Sequence, residues 1–232
     1  MKQFKKLLLT ALLTGLSWPV QAEPELWSAA DIRIPINSPA QSLWPQRFNL
    51  FGLSEIAPRF EGGLGLLRLS AGPQWDLSPQ FSLGIFADLI TQSATASQKA
   101  LQEYRLNLEP SFRGRWWPEL GWFNRNRLEY RQFSTRASWR WRTLLRLNWS
   151  GWRADQQPYL AQEIFLEAPQ GLTQSRSMLG MRWVLDRASQ IDTAYMWRWR
   201  STPQGLWEQD HLLMIVLFFA PPEALWQTHG GE

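Results

Sequence analysis

Residues 136–149 read Arg-Ala-Ser-Trp-Arg-Trp-Arg-Thr-Leu-Leu-Arg-Leu-Asn-Trp. The even positions from 138 are Ser138, Arg140, Arg142, Leu144, Arg146 and Asn148, all polar except one, whereas the odd positions Ala137, Trp139, Trp141, Thr143, Leu145, Leu147 and Trp149 are all apolar except one. A helix cannot separate these two sets, but a strand does so automatically, because successive side chains leave opposite faces. The stretch predicts a two-faced strand.

The same period recurs outward in both directions. Glu103, Arg105, Asn107 and Glu109 oppose Tyr104, Leu106 and Leu108; Arg176 and Arg182 oppose Leu179, Met181, Trp183 and Leu185; Asp192, Arg198 and Arg200 oppose Ile191, Tyr195, Trp197 and Trp199. With weaker segments added, candidate strands fall at 26–36, 46–57, 64–75, 80–90, 102–113, 121–133, 136–149, 158–167, 173–186, 190–201 and 209–219. Most exceed the roughly 5–6 residues of an average soluble strand and match the roughly 9–11 that a tilted strand needs to cross a bilayer. Short turns around 117–120 and 187–189 contrast with longer polar stretches at 91–101, 150–157, 168–173 and 202–208, so short connections are expected at one end and long loops at the other. Eleven strands would make the first and last parallel, whereas single-chain bacterial barrels have even counts. One candidate is therefore expected to fail, most naturally near Pro35, Pro39, Pro45 and Pro58, and the count to lie within 10–12.

Period 2 does not say which face is inside. A soluble barrel buries its apolar face; a membrane barrel turns it to lipid and keeps polar groups in the lumen. Charge chemistry favours the second arrangement. The chain has 232 residues, 24 of them Lys or Arg, yet Lys99 is the only lysine beyond Lys2, Lys5 and Lys6. A solvated surface normally mixes lysine with arginine, while arginine's planar fork suits an enclosed network with carboxylates. Trp139 and Trp141 at one end of their strand and Trp149 at the other are spaced about 20–25 Å apart on a tilted strand, close to the separation of aromatic girdles. The expected fold is an all-β, transmembrane, antiparallel up-and-down β-barrel.

The N-terminus supports export. Lys2, Lys5 and Lys6, an apolar run of Leu7 to Trp18 and the exit Val20-Gln21-Ala22 have the plan of a signal peptide over residues 1–22, cleaved after Ala22. Its apolar run is shorter than the roughly 20 residues of a spanning helix. The expected layout is signal peptide 1–22, barrel 23–220 and a tail over 221–232, in the bacterial outer membrane. Removing the leader lowers the formal charge from +4 to +1, which argues against a nucleic-acid partner.

Chemistry-bearing motifs are scarce. No cysteine and only His211 and His229 are present, and no nucleophile elbow, zinc-protease helix, phosphate loop or calcium loop occurs, so neither a cofactor nor catalysis is expected. His211 adjoins Asp210, but neighbours on a strand face opposite ways; it is expected at the lumen or its periplasmic edge. Trp152 and Trp207 lie in or beside presumed loops and offer a sugar-stacking alternative.

Several ordered motifs resemble those of one family. They are Glu103-Tyr104-Arg105, Asn126-Arg127-Leu128-Glu129-Tyr130-Arg131, Trp139-Arg140-Trp141-Arg142 with Leu147, Glu163-Ile164-Phe165, Gln174-Ser175-Arg176 leading to Gly180, Thr193-Ala194-Tyr195-Met196, and His211 opening the last strand. Together, over about 64–219, they resemble the bacterial outer-membrane barrels known as domain of unknown function 2490. The resemblance implies an outer-membrane location and no established activity. Two features depart from it. Met181-Arg182-Trp183 stands where the family tends to glycine and tyrosine, and the strand ending at Phe218-Phe219 is followed by 13 residues, which disfavours simple recognition of a terminal aromatic by the barrel assembly machinery.

With polar faces inward between 64 and 200, the lumen would hold Arg68, Arg105, Arg125, Arg127, Arg131, Arg140, Arg142, Arg146, Arg176, Arg182, Arg198 and Arg200 against Asp88, Glu103, Glu109, Glu129, Glu163, Glu167 and Asp192, twelve against seven. The strands at 121–133 and 136–149 carry six of the arginines and only Glu129, while their flanking strands supply Glu103 and Glu109 on one side, Glu163 and Glu167 on the other. Two readings stay open: a closed salt-bridge network filling a narrow barrel, or a narrow anion-favouring porin for small acidic solutes. Outer-membrane lipid is the expected partner in both. A lipid-modifying enzyme is the weakest alternative.

Overall fold

A computed structural model describes residues 25–37, 47–58, 64–92, 101–186, 189–202 and 204–219, with side chains for most of them from 66 onward and for 28–32. The leader, most of the 91–101 loop, His229 and the C-terminal tail lie outside the described residues.

Eleven strands follow in order: β1 (Glu25–Asn37), β2 (Arg47–Pro58), β3 (Leu64–Ser78), β4 (Phe81–Gln92), β5 (Leu101–Trp117), β6 (Leu120–Phe133), β7 (Ala137–Trp149), β8 (Gln156–Glu167), β9 (Gly171–Val184), β10 (Ser189–Ser201) and β11 (Trp207–Phe219). From β2 to β11 each pairs antiparallel with its chain neighbours, a ten-strand up-and-down meander. β1 pairs antiparallel with β2 and parallel with β11, which closes the barrel.

The expectation that one candidate strand would fail is therefore corrected. All eleven form, and the odd count is accommodated by the parallel β1–β11 seam, registered from Glu25 against Leu212 to Ile32 against Phe219. Pro35 lies past the last described pair of that seam, Ile32 with Phe219, and stands opposite Asn49 of β2.

Loop sidedness also differs from expectation. The antiparallel directions put the tight β3–β4, β5–β6 and β9–β10 turns at one end, but the longer 150–155 connection is at that same end. The β8–β9 connection, residues 168–170, is as short as a turn.

Side-chain parity is consistent from strand to strand. On β4 the even positions Ser82, Phe86, Asp88 and Ile90 are buried and Ile85 and Leu89 are exposed; on β5 Glu103, Asn107 and Ser111 are buried and Tyr104, Leu106, Leu108 and Phe112 exposed. The polarity is inverted relative to a soluble protein. Glu129 is 0% exposed, whereas Leu106 is 57% and Trp139 52% exposed.

Glycine lets aromatic rings lie flat inside this sheet. A Cβ on Gly180 would run into the Tyr159 ring of β8 and one on Gly84 into Phe86, so at both sites the absent side chain makes room for the ring.

Candidate functional site: the barrel interior

Because β6 and β7 run antiparallel with Glu129 opposite Arg140 and Arg127 opposite Arg142, their inward faces interleave one acid among many guanidiniums. Glu129 accepts from Arg140 Nε at 2.7 Å and from Arg142 Nη1 at 2.9 Å. The flanking strands supply the remaining anions. From β5, Glu103 pairs with Arg131 at 2.5 Å and Arg105 at 2.6 Å, and Glu109 pairs with Arg127. From β8, Glu163 accepts from Arg142 at 2.8 Å and Arg125 at 3.1 Å, with Arg176 of β9 at 3.5 Å, while Glu167 accepts from Arg131 at 2.7 Å and Ser138 at 3.0 Å. Seven arginines and five carboxylates thus form one web.

The 1%-exposed Phe165 ring lies amid that web, with the guanidinium carbons of Arg142, Arg176 and Arg140 at 4.6, 4.7 and 5.3 Å from its centroid. Stacking on an aromatic face satisfies the weakly hydrated planes of the guanidiniums where carboxylates are outnumbered.

A second cluster is centred on Asp192 of β10. It accepts both Nε and Nη2 of Arg182 at 2.8 and 3.0 Å and Nη1 of Arg146 at 2.5 Å. Arg146 also stacks on Tyr159 at 3.6 Å. Toward the opposite end, Arg198 and Asp210 pair at 2.7 Å, and Arg200 reaches Glu208 at 3.4 Å in a more exposed position. Arg68 and Asp88 pair at 2.7 Å, as Arg113 and Asp76 do at 2.8 Å. All fourteen sequence-derived lumen residues (Arg105, Arg125, Arg127, Glu129, Arg131, Arg140, Arg142, Arg146, Glu103, Glu163, Glu167, Arg176, Arg182 and Arg198) lie on the inner face, in three groups instead of one.

What separates the groups is apolar, and period 2 did not reveal it. Tyr159, Ala161, Met178, Ala194, Met196 and Leu212 form a buried cluster across β8–β11, with Leu144 and Met214 packed against it. Each sits at an inward position of its strand. The charge balance is also closer than the count of twelve to seven. Among the described side chains, Asp31, Asp76, Glu208 and Asp210 share the inward parity against two further arginines, Arg113 and the more exposed Arg115, which reduces the excess from five to three.

His211 requires a correction. Asp210 and the fully buried Leu212 face the interior, so His211 between them faces outward. Its Nδ1 lies 2.6 Å from the Tyr195 hydroxyl and its Nε2 2.9 Å from Gln209 Nε2, and Tyr195 packs edge-on against Trp197. Alternation requires this once Asp210 is seen to pair inward with Arg198. Trp152 and Trp207 are exposed beside their connections, and the described residues hold no group of His, Asp or Glu side chains suited to a metal ion.

The fold and its interior define a class: closed up-and-down β-barrels whose described exterior is mainly apolar and whose interior is ion-paired and partly apolar. A family model described as a protein of unknown function, DUF2490, matches residues 54–209, and the chain belongs to that family. No curated protein and no solved structure matches it.

Proposed function

We propose that this chain is an outer-membrane β-barrel whose lumen is closed by its own side chains, a structural or sealed barrel and not an open porin. One observation carries the reading: leucine, isoleucine and tryptophan face outward around the described barrel while 0–3%-exposed Glu129, Asp192, Asp88, Glu103 and Glu163 face inward. An exterior of that composition is costly in water and favourable against acyl chains, whereas buried charge is tolerable only when paired. The signal-peptide pattern and strand lengths of 12–17 residues support the same location.

Two kinds of filling support closure. Among the described side chains the arginine–carboxylate web spans β5–β9 and the methionine–leucine cluster spans β8–β11, so paired charge and packed apolar groups share the interior. The remaining arginine excess favours the anion-pore alternative. Planar-bilayer recording of the reconstituted chain separates the two: no steady conductance is expected, and a stable anion-selective conductance would replace the sealed barrel with a narrow porin.

A further inference from the structure

The outer face of the described barrel has two chemical characters. On β4 and β5 its exposed residues are mainly apolar, Ile85, Leu89, Tyr104, Leu106, Leu108 and Phe112, with Gln102 at the strand end. On β6, β8 and β9 polar groups stand near the middle of the strands, with Leu145 of β7 in the row between them. Asn126 Nδ2 donates to Asn124 Oδ1 at 2.7 Å on β6, and on β8 Gln162 Nε2 donates to Ser175 Oγ at 2.8 Å while its Oε1 accepts from Ser177 Oγ at 2.6 Å. The strand registers align these groups: Asn124 opposes Leu145, Leu145 opposes Gln162, and Gln162 opposes Ser177. All point away from the lumen, because Arg125, Arg127, Glu163, Arg176 and Met178, their chain neighbours, point into it.

We infer that the β6–β9 outer face is an interface at which two copies of this chain associate within the membrane, through the band formed by Asn124, Asn126, Gln162, Ser175 and Ser177. This rests on the membrane reading above. Facing acyl chains, amide and hydroxyl groups have no outside partner, so each hydrogen-bonding site left over from the contacts within the band is a penalty that a second protein surface removes. Gln162 uses one N–H on Ser175 and one lone pair on Ser177, and keeps a second N–H and a second lone pair. The choice of a second copy follows from charge. The band contains no ionised group, and every amide and hydroxyl in it both donates and accepts, so a two-fold axis brings a surface against itself without repulsion. A charged partner finds no complement there. Leu145, Leu160 and Leu166, 42–45% exposed, flank the band and supply apolar contact around it.

The chain has no cysteine, so single cysteines report cleanly. Gln162→Cys, Ser177→Cys and, as control on the apolar face, Leu106→Cys are expressed in the full chain, and intact membranes are treated with a short bis-maleimide. Expected are products of twice the chain mass, several-fold more abundant for Gln162→Cys and Ser177→Cys than for Leu106→Cys, and lost from Ser177→Cys when Gln162→Leu and Ser175→Ala are added. Equal yields at all three positions, no dimer, or a product of another mass would overturn the inference. Flotation of the same membranes on a density gradient keeps the two levels apart: a chain that does not float contradicts the membrane reading, whereas one that floats without dimer contradicts only the interface. Heat-modified migration confirms that each variant is folded.

Discussion

Arg142 of β7 donates Nη1 to Glu129 of β6 at 2.9 Å and Nη2 to Glu163 of β8 at 2.8 Å, so one guanidinium ties three adjacent strands together where the side chains have almost no access to water. The fork of arginine makes this possible; lysine in its place would present a single point of charge.

Glu129 is the position at which loss of charge should hurt most. It accepts from Arg140 and Arg142, with Arg105 and Arg127 at 3.9–4.0 Å. Glu129→Gln leaves buried guanidiniums short of a counter-charge, which costs about 3–5 kcal/mol when one partner of a buried pair is removed. The midpoint of urea unfolding in lipid vesicles should fall accordingly, and an unchanged midpoint would show that water reaches the web.

Asp192 and Arg146 should respond unequally. Asp192 holds both Arg146 and Arg182, whereas Arg146 shares its carboxylate with a bidentate partner that remains if Arg146 is replaced. Asp192→Asn is expected to destabilise by roughly 3 kcal/mol or more, while Arg146→Met, which gives up the guanidinium stacked on Tyr159 but leaves Asp192 paired with Arg182, costs less. Comparison of the two unfolding midpoints tests the ranking.

Gly180 makes room for the Tyr159 ring and for the Thr193 carbonyl, whose oxygen lies 2.6 Å from where a Cβ would stand. Gly180→Ala should cost about 1–3 kcal/mol through displacement of both, and adding Tyr159→Leu should recover only the part due to the ring. A Gly180→Ala chain as stable as the parent would contradict the packing.

The methionine–leucine cluster should act as part of the seal. Replacing Met178, Met196 and Leu212 together by alanine removes large side chains from the β9–β11 side of the lumen. Bilayer recording should then show a conductance that the parent lacks, with anion preference set by the nearby arginines.

Much of this was legible in the sequence, because a single physical rule, alternation, governs both fold and interior. Once Arg140 and Arg142 share a face, Glu103, Glu109, Glu163 and Glu167 on neighbouring strands become their natural counter-charges, and the structure places them within pairing distance of the β6 and β7 arginines. The apolar cluster was not legible for the same reason. Around Leu144, Met178, Met196 and Leu212 the outward neighbours include Thr143, Ser177 and His211 and are no more apolar than the inward residues, so polarity does not give the direction and only counting from a charged neighbour does. The pairing of Tyr159 with Gly180, 21 positions apart, depends on register across the β8–β9 turn, which composition does not encode. The parallel seam at β1 was excluded on a rule about strand number that this chain does not follow.

Spin labels on adjacent positions test the orientation on which everything rests. Nitroxides introduced by Ile85→Cys, Leu89→Cys and Leu106→Cys in a reconstituted bilayer should collide often with dissolved oxygen and rarely with a water-soluble nickel chelate, while one at Asn107, 1% exposed, should be screened from both. Free collision of the nickel chelate with the labels at 85, 89 and 106 would place that face in water and contradict the account.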